Sequence, residues 1–495
     1  MRKKIFLIAL FGALILLGCQ NQGPKAGTNA EAIEAPEDIT KLAEEAYLYG
    51  LQQVIFYGQR WIYTQDDSPE NDSYVGVNRL YHLRKKITPD FPVVTPNATT
   101  LYGTGFLDLS EEPVIVEIPE ITDRYFSFQV MDQYGIFYMM VGNQFNGTKA
   151  KSYLMVPVGY TGNLPAEFAT TEVINAPSNI SYANIRIGVK TGADAEIKEI
   201  NGYQDKVTVT PLSKWIANGR KGVLKKDQKV VKGDYKIYEP LTKNARKQVD
   251  TQTAENFFTI LSLALNDPTM TLIKDSKKEA DMLNQLATIN IAKGKNFQWS
   301  ELDKTTQDAL SKGFKNGYDK VKKTFSSTLL SMNGWMVVQN TGGYETDWLS
   351  RSVMADAGWA GPDKNISHGA AFLFVDSEGN KLNGENRYTI TFDMNDLPPV
   401  TQFWSIPIYT LEGYFVHNDI ERYTINSFML DQGLLHVEDG KLIIYLQKDK
   451  PSDPKQLKNW LPSPEQGFRF AARFYGPKLP LVDGSYNMPR PVLTK

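Results

Sequence analysis

The sequence predicts a mainly β protein of two antiparallel β-sandwich or jelly-roll domains, with an N-terminal helix and a helical segment between the domains. Three observations lead there. In Arg124–Val130, Phe126, Phe128 and Val130 alternate with Tyr125, Ser127 and Gln129, a period of two that puts one face of a strand into a core. Other short apolar runs, bounded by Gly, Pro or Asn, follow with no helical pattern between them, which favours antiparallel pairing over a βαβ crossover. Between about Asp250 and Thr328 the apolar spacing changes to three and four, after which the strand pattern returns.

Taken in order, residues 1–18 read as a signal peptide: Arg2, Lys3 and Lys4 precede an apolar run, Ile5–Leu17, that is too short for an ordinary membrane span. The run closes on Leu16, Leu17, Gly18 and Cys19. This resembles a lipobox, which implies acylation of Cys19, palmitate included, and anchorage through lipid, because each buried methylene contributes roughly 0.8 kcal/mol. By the same resemblance, Gln20 after the cysteine points to the outer membrane of a Gram-negative cell envelope. Residues 19–38, poor in bulky apolar side chains, form a flexible tether.

An N-terminal β-sandwich domain is expected over 39–240. It opens with a helix on which Leu42, Ala43, Ala46, Tyr47, Gly50, Leu51, Val54 and Ile55 form a stripe, capped by Asp38 or Thr40. Strands are expected at Val114–Ile118, Ile136–Val141, Tyr153–Val158 and Ile185–Val189. The helical linking segment, 241–330, carries Phe257, Phe258, Leu261, Ala264 and Leu265 on one stripe, a second helix from Lys277 to Leu286, and a third opened by a capping box in which Ser300 is the cap and Asp303 reaches back. A second sandwich, 331–495, has strands at Ala371–Val375, Tyr388–Phe392, Phe403–Tyr409, Leu442–Leu446 and Phe468–Phe474.

Two clusters carry a resemblance. Asn78–Tyr102 reads NRLYHLRKKITPDFPVVTPNATTLY, and FWSIPIYT at Phe403–Thr410 is followed by NWLPSPEQGFRFAARFYGP at Asn459–Pro477. Together they resemble the bacterial family whose halves are known as domains of unknown function 1254 and 1214. The resemblance implies two β-sandwich domains with helical elements in an exported protein, and no settled activity. The family motif often has Asp where this chain has Ala98, so no role of that carboxylate carries over.

Composition excludes several chemistries. Cys19 is the only cysteine, so no disulfide, catalytic thiolate or thiolate metal site is expected. Without Arg2, Lys3 and Lys4 the formal net charge moves from −2 to −5, which gives no reason to expect nucleic-acid binding. His82, His368, His417 and His436 are widely separated and form no metal-ligand motif, and no cofactor fingerprint occurs. The nucleophile-elbow pattern is absent, Ser452–Lys455 lies among prolines, and Asp376–Asn380 suits a hairpin turn better than a calcium loop.

Aromatic residues make up 12% of the chain, and several lie beside polar groups. Asn97, Thr100, Tyr102, Tyr125, Asp132, Trp404, Tyr409, Asn459 and Trp460 are therefore candidate lining residues of a small-molecule or glycan site between the domains. Arg124, Arg469 and Arg473 on strands read either as buried struts or as anion binders. The expected function is a lipid-anchored binding or assembly module that is open to homo-oligomerisation. The alternatives are a hydrolase of an envelope glycan or ester, using a carboxylate pair such as Asp132 with Asp393, and a purely structural protein.

Overall fold

The computed structural model describes residues 37–91, 94–233, 253–270, 276–339, 341–342, 344–358 and 361–494. The signal peptide, Cys19 and most of the tether lie outside the described residues. Among the described residues 30% are helical and 26% are in strands, with ten α-helices and four mostly antiparallel sheets. Among the described residues no helix is long and apolar enough to cross a membrane.

The N-terminal β region follows helix α1 (Glu37–Thr64) and contains β1 (Tyr81–His82), β2 (Thr100–Asp108), β3 (Val114–Ile118), β4 (Phe126–Met131), β5 (Phe137–Gly142), β6 (Lys151–Val156), β7 (Val173–Asn175), β8 (Ile180–Gly188) and β9 (Thr208–Pro211), with α2 (Asp194–Lys206) and α3 (Leu212–Ala217). One sheet has the order β1-β2-β8-β4-β5 and the other β7-β6-β3-β9. Leu101, Phe128, Ile185 and Ile187 from the first share one apolar core with Val114, Val116, Met155 and Val209 from the second. Period-two alternation produces this arrangement, because each strand turns only one set of side chains toward that core.

After helices α4 (Ala254–Asn266), α5 (Lys277–Ala287), α6 (Lys304–Ser327) and α7 (Trp348–Gly358), the C-terminal β region has strands β10 (Leu330–Met332), β11 (Trp335–Val337), β12 (His368–Leu373), β13 (Arg387–Asp393), β14 (Val400–Thr410) and β15 (Thr424–Asn426). Strands β16 (Val437–Glu438), β17 (Lys441–Gln447), β18 (Trp460–Pro462), β19 (Phe468–Pro477) and β20 (Val492–Thr494) complete it. The sheet β10-β11-β12-β19-β14-β15 faces the sheet β16-β17-β13-β20 across Trp335, Ile390, Trp404, Ile444, Phe470 and Phe474.

The helices pack together across the expected domain boundaries. Helix α1, expected with the N-terminal β domain, packs mainly into the linking segment: Ala43, Ala46, Tyr47 and Val54 share a core with Phe257, Phe258 and Leu261 of α4 and with Leu310 and Val321 of α6. Gly313 makes the close approach possible, since a Cβ there would stand 2.2 Å from the Thr40 carbonyl oxygen. The gain from packing a long apolar stripe outweighs the roughly 1 kcal/mol that a mid-helix glycine costs. The bundle therefore joins both ends of the N-terminal β region. The cap of α6 also differs from expectation: Asp303, not Ser300, is the N-cap, and its side chain accepts from Thr306 N, because Trp299–Glu301 already forms a 3-10 turn.

Candidate functional site

The first sheet of each β region has one apolar and one polar face. In β8 all nine residues are buried, although Asn184 and Arg186 alternate with Ala183, Ile185 and Ile187. Pairing sets Tyr102 of β2 and Ser127 of β4 beside Arg186, and Thr104 and Gln129 beside Asn184. On β19 the Arg469, Ala471, Arg473 and Tyr475 set alternates with core residues Phe468, Phe470, Ala472 and Phe474. Register places Ala370 of β12 and Ser405 of β14 beside Arg473, and His368 and Phe403 beside Tyr475. These two polar faces meet each other.

The contacts across the junction are specific. Asn97 Nδ2 donates to the Tyr475 hydroxyl at 2.7 Å, and Tyr125 packs its ring edge-on to Phe403 and Tyr475 at 5.2 and 5.1 Å. Asn97 Oδ1 accepts from Thr99 N and Oγ1, which fixes the amide orientation and aims Nδ2 at the oxygens of Thr100, Tyr102 and Tyr475. Arg473 Nη2 donates to Thr95 O at 2.6 Å, Arg469 Nη2 to Thr95 Oγ1 at 2.7 Å, and the Tyr409 hydroxyl to Pro96 O at 2.7 Å. Thr95 has φ of +53°, strained for a β-branched residue, and those bonds together with Thr95 N donating to Gly413 O hold it there. A Cβ on Gly413 would stand 2.4 Å from Arg469 Nη2, so that turn requires glycine.

A polar chain runs between the sheets from Arg186 to His368. Arg186 Nη1 donates to Gln129 Oε1, which leaves Gln129 Nε2 to donate to Ser367 Oγ at 2.6 Å. Ser367 Oγ lies 3.1 Å from His368 Nδ1. Burial, reinforced by Arg186 and Arg473, holds the His368 pKa well below its ordinary value, so the ring is neutral.

The phenols respond differently to the same cations. Burial alone would raise Tyr102, but Arg186 and Arg473 outweigh it and pull its pKa below the ordinary phenol value. Burial pushes Tyr475 well up and Tyr125 to about 12. Burial works against the charge of Arg473, and Tyr409, Tyr475 and Tyr102 more than offset it. Among the described residues no carboxylate pairs with Arg186 or Arg473. Arg186 is only 5% exposed, whereas Tyr102, His368 and Arg473 keep partial access to solvent.

Of the residues expected at the site, Asn97, Thr100, Tyr102, Tyr125 and Tyr409 come together here. The others lie elsewhere. Trp404 follows Phe403 on β14 and so turns to the opposite face, stacking on Phe392 at 5.7 Å inside the C-terminal core. Asn459 binds the backbone of His436 and Ile443, and Trp460 Nε1 donates to Gln447 O, beside the parallel β17–β18 pair in the second sheet. Asp132 closes the β4–β5 turn by accepting from the N–H groups of Tyr134 and Ile136, and burial raises its pKa to about 6. Asp393 is exposed at the end of β13 and accepts from Asn395 N. Arg124 is a strut, paired with Asp123, Glu196 and Glu199. Among the described residues no group of three or more His, Cys, Asp or Glu side chains could hold a metal ion. The sequence reading misses Arg186, Gln129 and Ser367 and names His368 only as an isolated histidine; the signal that points to Arg186 is its alternation with Ile185 and Ile187, which puts a charge on the second face of a strand.

Residues 77–211 match the family model described as Protein of unknown function (DUF1254), and residues 369–479 match Protein of unknown function (DUF1214). These are the two families expected from the motifs. Asn97, Tyr102 and Arg186 fall in the first match, Arg473 and Tyr475 in the second. No curated protein matches the chain. The crystal structure of the VPA0106 protein from Vibrio parahaemolyticus is similar, with a TM-score of 0.64 at 22% identity, covering 92% of this chain and 100% of that one; this shows the fold alone. An uncharacterized protein from Burkholderia cenocepacia covers 92% of this chain and 95% of its own at 9% identity, with a TM-score of 0.39.

Proposed function

We propose that this protein is a lipid-anchored envelope binding protein whose small-molecule or glycan ligand sits between the polar faces of its two β regions. The observation that carries the reading is the meeting of those faces around Arg186, Arg473, Tyr102 and His368, with buried polar groups at a domain junction. Domain junctions are favoured places for ligand pockets. We read each pair of sheets as a β-sandwich, because each pair shares one apolar core. Anchorage rests on Arg2, Lys3, Lys4, the run Ile5–Leu17 and Cys19, with the outer membrane as destination and no bar to a homo-oligomer.

Binding is favoured over hydrolysis because neither Asp132 nor Asp393 contacts the residues of the junction. The test is a thermal-shift screen of the acylated protein in mild detergent against small molecules and envelope glycan fragments, followed by a crystal structure with any hit. A compound that protects the protein and lies against Tyr102 and Asn97 is the expected result. A hit bound elsewhere, or no hit across the screen, contradicts the reading. Cys19→Ala is expected to abolish acylation and membrane retention, measured by labelling with a palmitate analogue and fractionation. An acylated variant would end the lipid-anchor reading.

A further inference from the structure

We propose that the ligand at this junction carries a compact oxyanion, a carboxylate or a phosphate group, gripped by the Nε–Nη2 edge of Arg186 and neutralised jointly with Arg473. The proposal rests on the binding reading and adds the chemistry of the ligand. Arg186 uses Nη1 on Gln129, and Arg473 uses Nη2 on Thr95, Pro96 and Tyr409. Arg186 Nε and Nη2 and Arg473 Nε and Nη1 have no hydrogen-bond partner among the described residues. On Arg186 the two unspent donors share one edge of the guanidinium, the geometry that binds two oxygens of a carboxylate or phosphate side by side.

Electrostatics points the same way. Two guanidiniums act on the same three groups, Tyr102, Tyr475 and His368. A charge taken from water is tolerated when it is paired and hydrogen-bonded, and is otherwise costly. The neighbours on the N-terminal face are Tyr102, Ser127, Gln129 and Asn184; those on the C-terminal face are His368, Ser405, Tyr409 and Tyr475. These are neutral or phenolic, and His368 stays unprotonated; Arg469, on the same face of β19 as Arg473, adds a further positive charge. Tyr102, pulled toward phenolate, is the nearest approach to a counter-charge the chain itself supplies. An anionic ligand completes the pairing. It also opposes the phenolate, since two negative groups then compete for the same cations.

Inorganic phosphate and acetate are the probes, each titrated against the full acylated protein at ionic strength held constant with chloride. Thermal midpoint and the near-ultraviolet absorbance of tyrosinate are the readouts. At least one probe is expected to raise the midpoint saturably and to move tyrosinate formation to higher pH. Arg186→Lys, which keeps the charge and loses the two-donor edge, is expected to weaken binding about tenfold or more, as expected for a lost charge-assisted pair. Acetate acting alone identifies a planar carboxylate as the preferred group, and phosphate acting alone a tetrahedral one. No response to either probe, or an equal response in wild type and Arg186→Lys, overturns the proposal. A neutral compound that protects wild type but not Tyr102→Phe would leave the interdomain site standing and remove only the oxyanion. If no compound of any kind protects, both fall.

Discussion

Around Arg351 the buried charges are met by groups of opposite sign, whereas around Arg186 and Arg473 they are not. Glu279 accepts from the hydroxyls of Tyr49 and Tyr134 at 2.9 and 2.5 Å, and Arg351 donates to Tyr49 O at 2.8 Å with its guanidinium 5.0 Å above the Tyr134 ring. Asp132 and Glu279 both feel that cation. Arg60 and Asp267 form a second closed pair at 2.6 Å, fully buried. The first cluster links the helical bundle to the β4–β5 turn, and in both clusters each cation has a carboxylate of opposite charge within its reach. Around Arg186 and Arg473 there are cations, phenols and amides, and among the described residues no carboxylate pairs with either guanidinium. A buried polar group is a strut when its partner is in the chain, and points outward to a ligand when its partner is not.

The largest effect expected from this contrast is at Arg351. Arg351→Met leaves Glu279 and Asp132 without their cation, and about 3 to 5 kcal/mol of stability should be lost in urea denaturation. A loss under about 1 kcal/mol would mean the closed cluster is no strut. Asp132 comes next. Burial raises its folded pKa from the ordinary 3.8 to about 6, so between those values the native state binds the proton more tightly than the unfolded state does. Stability therefore falls as pH rises from about 4 to 6 and stays lower above. Asp132→Asn removes the titration while its amide oxygen can still accept from Tyr134 and Ile136. The variant should gain about 2 to 3 kcal/mol on wild type at pH 8 relative to pH 4, measured by denaturation at both.

Much of this was legible in the sequence, and the failures have a common cause. Alternation in Arg124–Val130 and Phe468–Phe474 located β4 and β19, because a period of two survives any tertiary context that keeps one face buried. Composition groups Trp404 with Tyr409, yet it stands five positions from Tyr409 and one from Phe403, so the same alternation puts it on the face opposite both. Asn459 and Trp460 were grouped the same way, and only pairing with β17 shows where they go. Gln129 and Ser367 are 238 residues apart, and no local pattern reports which polar faces meet. The composition of the junction was readable; its membership was not. The unpaired state of Arg186 is a property of packing.

Smaller effects separate members of the junction from its former candidates. Asn97→Ala and Tyr475→Phe should be non-additive by at least about 0.5 kcal/mol in a double-mutant cycle, because one hydrogen bond joins them across the interface. Additivity there would detach Asn97 from the C-terminal face. Tyr102→Phe and Trp460→Phe should add within about 0.3 to 0.5 kcal/mol, as residues without shared partners do. Coupling beyond that would return Trp460 to the site.

Whether Arg186 is held for a ligand or as a strut is decided by the unfolding free energy of Arg186→Met against wild type, with and without a saturating oxyanion. In anion-free buffer the variant should lie within about 1 kcal/mol of wild type, because it relieves one of two like charges as it removes a hydrogen bond to Gln129. At about one hundred times the dissociation constant, wild type should gain about 2.7 kcal/mol and the variant almost nothing. A loss of about 3 kcal/mol or more in the variant without any anion, or an equal gain in both proteins with it, would contradict the account.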